Sequence, residues 1–112
     1  GLMHSSRVRQ VERIAAFVEA EVPRGEHLIV AGDFNDWGEK LDAPMRECGL
    51  ERARVEGEAA GRQNTFPSRV PVFSLDRIYL RGLRCTATTV PRGASWARMS
   101  DHLPLLAELE LD

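Results

Sequence analysis

The chain has no apolar run of transmembrane length and no segment patterned like a signal peptide, which points to a soluble, cytoplasmic protein. Cysteine is scarce. Cys48 and Cys85 are far apart and form no CxxC spacing, so they read as reduced, buried small hydrophobes rather than a disulfide or a zinc site. An excess of one charge is missing too: 15 basic and 17 acidic residues leave a net charge of −2. No global basic field therefore drives non-specific nucleic-acid binding, although a local patch would suffice for a nucleic-acid substrate. Internal repeats, low-complexity tracts and an interdomain linker are absent, so residues 1–112 make a single domain. Composition is otherwise that of a globular chain, with 43% apolar and 29% charged residues.

The stretch that organises this domain runs from His27 to Asp36 (HLIVAGDFND). Four consecutive apolar residues, Leu28 to Ala31, predict a strand buried on both faces. Gly32 permits a sharp exit, and Asp33 and Asn35 stand where the strand ends. Ligands of α/β proteins bind beyond the carboxyl ends of buried strands, so this loop is a site candidate, although Gly, Asp and Asn are also ordinary turn formers. As an EF-hand it fails. Asp33, Asn35 and Gly38 fit the first, third and sixth positions, but Trp37 takes the fifth, and Pro44 the twelfth, where a bidentate Glu is required.

Around this stretch the chain alternates helix and strand signals. Gly1 to Ser6 reads as a polar lead-in with Ser5 or Ser6 as a helix N-cap. Val8, Val11, Ile14, Ala15, Val18 and Val22 then give an amphipathic helix over 7–21 that covers a sheet, stopped by Pro23-Arg24-Gly25. Asp42-Ala43-Pro44 predicts an N-cap and first turn of a short helix that ends at Cys48 and Gly49. A weak strand over 50–55 and an exposed Gly-rich loop over 56–64 follow. The run Ser74 to Leu80 alternates so that Asp76 shares a face with Ile78 and Leu80. A carboxylate there is costly without a hydrogen-bond partner. Leu83 to Val90 predicts a strand in hairpin with the one before. A loop over 95–100 carries Trp96, and a half-exposed strand closes the chain.

Three polar clusters adjoin strands: Asp33/Asn35, Asp76 and Asp101/His102. Together they hold the parts for metal-assisted hydrolysis of a phosphate ester. Carboxylates hold a hard cation such as Mg²⁺ or Mn²⁺, which polarises a phosphoryl oxygen and lowers the pKa of attacking water. An amide and an imidazole donate to nonbridging oxygens as charge builds. Asp76 needs a partner and His102 needs an orienting group, so each satisfies the other. The remaining candidates have plainer readings. Trp37 and Trp96 could wall a substrate but are more often packing anchors. Arg62 and Arg69 could reach phosphates but loop arginines are usually solvated. His4 and His27 have no ligand partner at useful spacing.

Gly32-Asp33-Phe34-Asn35, Leu75-Asp76-Arg77-Ile78 and Ser100-Asp101-His102, in that order and each with the right flanks, resemble the last three motifs of the endonuclease/exonuclease/phosphatase superfamily. Its members include exonuclease III, the abasic-site endonucleases, DNase I and the sphingomyelinases. Thr65-Phe66-Pro67-Ser68 and Leu75-Asp76-Arg77-Ile78-Tyr79 are similar to a small bacterial subgroup of unassigned substrate. The resemblance implies an α/β fold: a mixed β-sheet with helices on one face, half of a four-layer DNase I-like sandwich. It implies that Asp33 orients or deprotonates the nucleophilic water and Asn35 contacts the scissile phosphate. Asp101, with Asp33, would hold Mg²⁺ or Mn²⁺; His102 would donate to the phosphate and Asp76 would pair with it.

Family members are longer, and their first half supplies an Asn, the Glu that is the main metal ligand, and a His before the first helix seen here. None has a counterpart in this chain, and His4 does not match that His motif. The expectation is a C-terminal half whose bare sheet face pairs with a second copy about a two-fold axis. The substrate would be a phosphate ester: DNA, a phospholipid headgroup or a small molecule. The alternative is a catalytically inactive half-domain that serves as a dimerisation or protein-interaction module.

Overall fold

In the computed structural model, residues 2–112 are described, with side chains described for Ser6 and from Val8 onward. Helix α1 spans Leu2–Glu21. It begins earlier than the sequence predicts, because no Pro or Gly interrupts residues 2–6. Ser6 is therefore an exposed helical residue that accepts a hydrogen bond from Arg9, not a cap. Gly1 and the side chains of His4 and Ser5 lie outside the described residues. The predicted stripe does face inward: Val11 is buried, and Val8, Ile14, Ala15, Val18 and Val22 are half-buried.

Strand β1 (Leu28–Asp33) pairs antiparallel with β3 (Asp76–Arg81), running from Leu28 opposite Arg81 to Asp33 opposite Asp76. The short β2 (Glu51–Arg52) takes the other edge of β3. Its ladder is extended one residue by the Ala53 N–H to the Ile78 carbonyl, at 2.8 Å. Strands β4 (Leu83–Thr89) and β5 (Leu106–Leu111) form a separate antiparallel pair.

All described pairings are thus antiparallel, in a three-stranded and a two-stranded sheet, where the sequence suggested one mixed sheet. The expected hairpin between β3 and β4 does not form. Both edges of β3 are already taken by β1 and β2, so the left-handed Gly82 (φ +76°) turns the chain away and β4 pairs with β5 instead. The predicted loop at 95–100 begins within a four-residue helix, α3 (Ala94–Ala97).

Helices cover one face of the three-stranded sheet. The core joins Val11 of α1, Phe34, Leu41 and Met45 with Leu50 and Tyr79, and Ile14, Leu28 and Val30 pack against it. The β1 strand is therefore not buried on both faces. Leu28 and Val30 point to the helices, while Ile29, on the uncovered face, is 52% exposed. Leu80, opposite Ile29 and on that same face, is buried, so the bare area is confined to the β1 side.

Helix α2 (Asp42–Glu47) is stopped by a Schellman turn. Gly49 (φ +82°) donates to the Arg46 carbonyl and Leu50 to that of Met45. Asp42 is its first residue rather than its N-cap, because its carboxylate serves other donors: the Tyr79 hydroxyl at 2.6 Å and Arg54 at 3.0 Å. Burial and the Asp42 carboxylate push the Tyr79 hydroxyl up to about 12.

Candidate functional site

Asp33 ends β1 and Asp76 begins β3, and the register sets them directly opposite on one face. Two carboxylates opposed across an antiparallel ladder repel, so something must hold them. A hydrogen bond from the Phe34 N–H to the Leu75 carbonyl (3.0 Å) carries the pairing one step past the strand end. Asn35 then adopts a left-handed conformation (φ +50°), which Asn tolerates better than most residues. Its backbone N–H donates to Asp33 Oδ1 at 2.8 Å.

The loop beyond is anchored from inside. Arg77 is 1% exposed, and its Nη1 donates to Asp36 Oδ2 at 2.8 Å. Its other N–H groups reach the main-chain carbonyls of Asp36 and Ser74. Asp36 Oδ2 also accepts the Leu41 N–H at 2.7 Å. Burial opposes the charged form of Asp36, but the Arg77 guanidinium and the backbone donors win and hold its carboxyl below the usual range. This clamp was not foreseen from sequence, although the alternation that set Arg77 on the inward face with Leu75 and Tyr79 was a signal that an acid had to meet it.

His102 arrives from the other sheet's side of the chain. The Leu103 N–H donates to the Thr65 carbonyl and the Ser68 N–H to the Asp101 carbonyl, both at 2.8 Å. These bonds dock the Thr65–Ser68 segment against the turn before β5. His102 Nδ1 then lies 2.7 Å from Asp76 Oδ2, and Nε2 lies 3.7 Å from Asp33 Oδ2. Thr65, fully buried, donates its hydroxyl to the same Asp76 Oδ2 at 2.5 Å. Partial burial works against the imidazolium, but Asp76, then Asp33 and Asp101, raise the His102 pKa above its ordinary value.

Asp33, Asp76 and His102 present ligand-type atoms within 4.8 Å of one another, the one such group among the described residues. Asp101 is exposed and outside that group; it acts on His102 through its charge, while its carbonyl accepts the Ser68 N–H. Phe66 lies against the His102 ring (centroids 4.8 Å), and Trp37 packs edge-on against Phe66 and Phe73. Trp37 is thus a packing anchor that also borders the site. Arg62 is bound to the Thr88 carbonyl (2.9 Å), and Arg69 is exposed. Thr65 and Phe66 belonged to a motif read from sequence, but nothing in their order marked them as neighbours of His102.

The model of the Endonuclease/Exonuclease/phosphatase family matches residues 3–102. Among curated relatives, the uncharacterized protein YbhP of Escherichia coli is 40% identical over 99% of this chain and 44% of its own length. A UPF0294 protein of Vibrio cholerae is 33% identical over 75% of this chain and 28% of its own. The chain therefore spans less than half the length of the curated relatives it matches. A solved structure of an endonuclease/exonuclease/phosphatase from Bacteroides vulgatus superposes with a TM-score of 0.74 at 24% identity, over 96% of this chain and 45% of that one. That likeness shows the DNase I-like fold.

Proposed function

This chain belongs to the endonuclease/exonuclease/phosphatase family, a family of phosphate-ester hydrolases that generally use divalent metals, and from that premise we propose that it carries half the catalytic site of a metal-dependent phosphoesterase. The observation that carries this reading is the convergence of Asp33, Asp76 and His102 from two strands and a distant turn.

The roles follow from the donors and acceptors. Asp76 holds the Nδ1–H of His102, which leaves Nε2 to donate to a nonbridging phosphoryl oxygen of a phosphodiester or phosphomonoester. Asp33, whose Oδ2 lies on the Nε2 side of the ring, orients the attacking water and accepts its proton. Asn35 contacts the scissile phosphate. With Asp76 Oδ2 already accepting two hydrogen bonds, Asp33 and the exposed Asp101 are the carboxylates suited to a hard cation, Mg²⁺ or Mn²⁺. Such an ion, when bound, supplies charge neutralisation and a more acidic water. Matching substrates are DNA, a phospholipid headgroup or a small phosphate ester. The reading places the protein in the cytoplasm; Cys48 and Cys85 are free thiols, Cys48 exposed and Cys85 half-buried where the sequence suggested that both were buried.

The test is hydrolysis of bis(p-nitrophenyl) phosphate by this chain with Mn²⁺, against chelator and an Asp33→Asn control. Turnover lost in both controls supports the reading and locates a complete site in these residues or across a dimer. Turnover that survives Asp33→Asn overturns the site assignment.

A second reading is favoured by the exposed side chain of Ile29 on the uncovered face of the three-stranded sheet. Here the chain is an inactive half-domain that pairs with a second copy or a partner through its bare sheet face. A folded chain without turnover, self-associated in light scattering, would support it.

A further inference from the structure

Thr65 is buried with no exposed surface, a costly place for a hydroxyl unless it is bonded. Its three polar groups each tie a different part of the chain. The N–H donates to the Phe73 carbonyl at 3.0 Å, and the carbonyl accepts the Leu103 N–H, next to His102, at 2.8 Å. The hydroxyl donates to Asp76 Oδ2 at 2.5 Å. The His102 Nδ1 meets that same oxygen at 2.7 Å.

An ionised carboxylate only accepts hydrogen bonds, so both neighbours donate, and Nδ1 carries the imidazole proton. The carboxylate itself can rotate about its terminal torsion, which is broad and two-fold, and the opposing Asp33 carboxylate pushes on it. The buried hydroxyl removes that freedom. We propose that Thr65 is a positioning residue: it fixes the Asp76 carboxylate, and through it the Nδ1–H tautomer and the aim of His102 Nε2 at the reacting phosphate. This rests on the phosphoesterase reading for its purpose, but the geometry is that of the chain's own side chains. Thr65 touches neither substrate nor reacting atoms in this scheme. Its effect passes wholly through Asp76, as with the outer partners that orient ligating and catalytic imidazoles.

The test compares Thr65→Val, which keeps the shape and loses the hydroxyl, with Thr65→Ser, which keeps the hydroxyl. Long-range ¹H–¹⁵N spectra of the ¹⁵N-labelled chain, taken above the imidazole titration, report the His102 tautomer without any need for activity. The wild type and Thr65→Ser should show the Nδ1–H form, and Thr65→Val a mixture with Nε2–H. Where Thr65→Val does not fold, Thr65→Ala serves in its place. In the hydrolysis assay Thr65→Val should lower kcat by about 10–100-fold with KM little changed, and Thr65→Ser should restore most of it. A folded hydroxyl-free variant with the wild-type tautomer overturns the proposal. A tautomer that shifts as expected in a chain whose turnover survives Asp33→Asn upholds the positioning role and overturns the phosphoesterase site assignment instead.

Discussion

The interactions of the candidate site concentrate on His102, because three carboxylates act on one half-buried ring. Its raised pKa comes from Asp76 first, against the opposing effect of burial, then from Asp33 and Asp101. The sign follows: the imidazolium is favoured in the folded state, so its contribution to stability is full below the unfolded value of about 6.5. That contribution is lost as pH rises through the folded value. Asp76→Asn should lower the His102 titration seen by NMR and flatten the fall in stability as pH rises from about 6.5 through the folded value. A titration unmoved by Asp76→Asn would show that the 2.7 Å contact does not govern the ring. His102→Ala in the active form of the protein should cut turnover by about 100-fold or more, within the range typical of lost general acid–base or electrostatic groups. Equal turnover would remove His102 from the reaction. At this scale the sequence was informative: the need of Asp76 for a partner and of His102 for an orienting group pointed each to the other. It was silent on Thr65, because a buried hydroxyl in a loop has the same local signature as an exposed one.

Among the elements, the junction of β1, its loop and β3 does most to shape the site, and the Asp36–Arg77 pair holds it. Both side chains are almost wholly buried. Removing one partner strands the other charge, so Asp36→Asn or Arg77→Met should cost about 3–5 kcal/mol in urea unfolding. Because the Asp36 pKa is lowered, the stability it supplies is present above about pH 3.9 and is lost as pH falls through its folded value. The wild type should therefore lose stability on acidification, and Asp36→Asn should lose less. A parallel acid profile in both would show that the pair is not the source. Gly49 closes α2 in a left-handed conformation with open space around it. Gly49→Ala should cost about 1 kcal/mol through backbone strain alone, read as a lowered urea midpoint. The sequence placed the helices and strands well. It misassigned the partner of β4, since strand signals are local and the occupancy of β3's edges is not.

At the scale of the whole molecule, one face of the three-stranded sheet is closed by helices and the other is partly bare. On that face Ile29 is more than half exposed. The expected consequence is self-association, and size-exclusion light scattering on a concentration series should show a dimer. A monomer at every concentration would leave the bare face without the partner proposed for it. If Asp33 and Asp101 form a cation site, Mn²⁺ should also raise the melting temperature, and Asp101→Ala should abolish the rise. No shift in the wild type would count against the metal-dependent reading.

What the sequence determined by itself was local: the stripe of α1, the alternation of β3, the strand-end position of Asp33 and the family motifs that named His102. These depend on neighbours within a few residues, where periodicity and turn chemistry speak directly. Tertiary structure alone decided that β1 has one bare face, that β4 pairs with β5, that Asp36 meets Arg77 41 residues away, and that Thr65 and His102 share one oxygen. Each of those outcomes depends on which distant segments pack into the same space, where buried charges and hydroxyls take the partners that packing brings within hydrogen-bond reach.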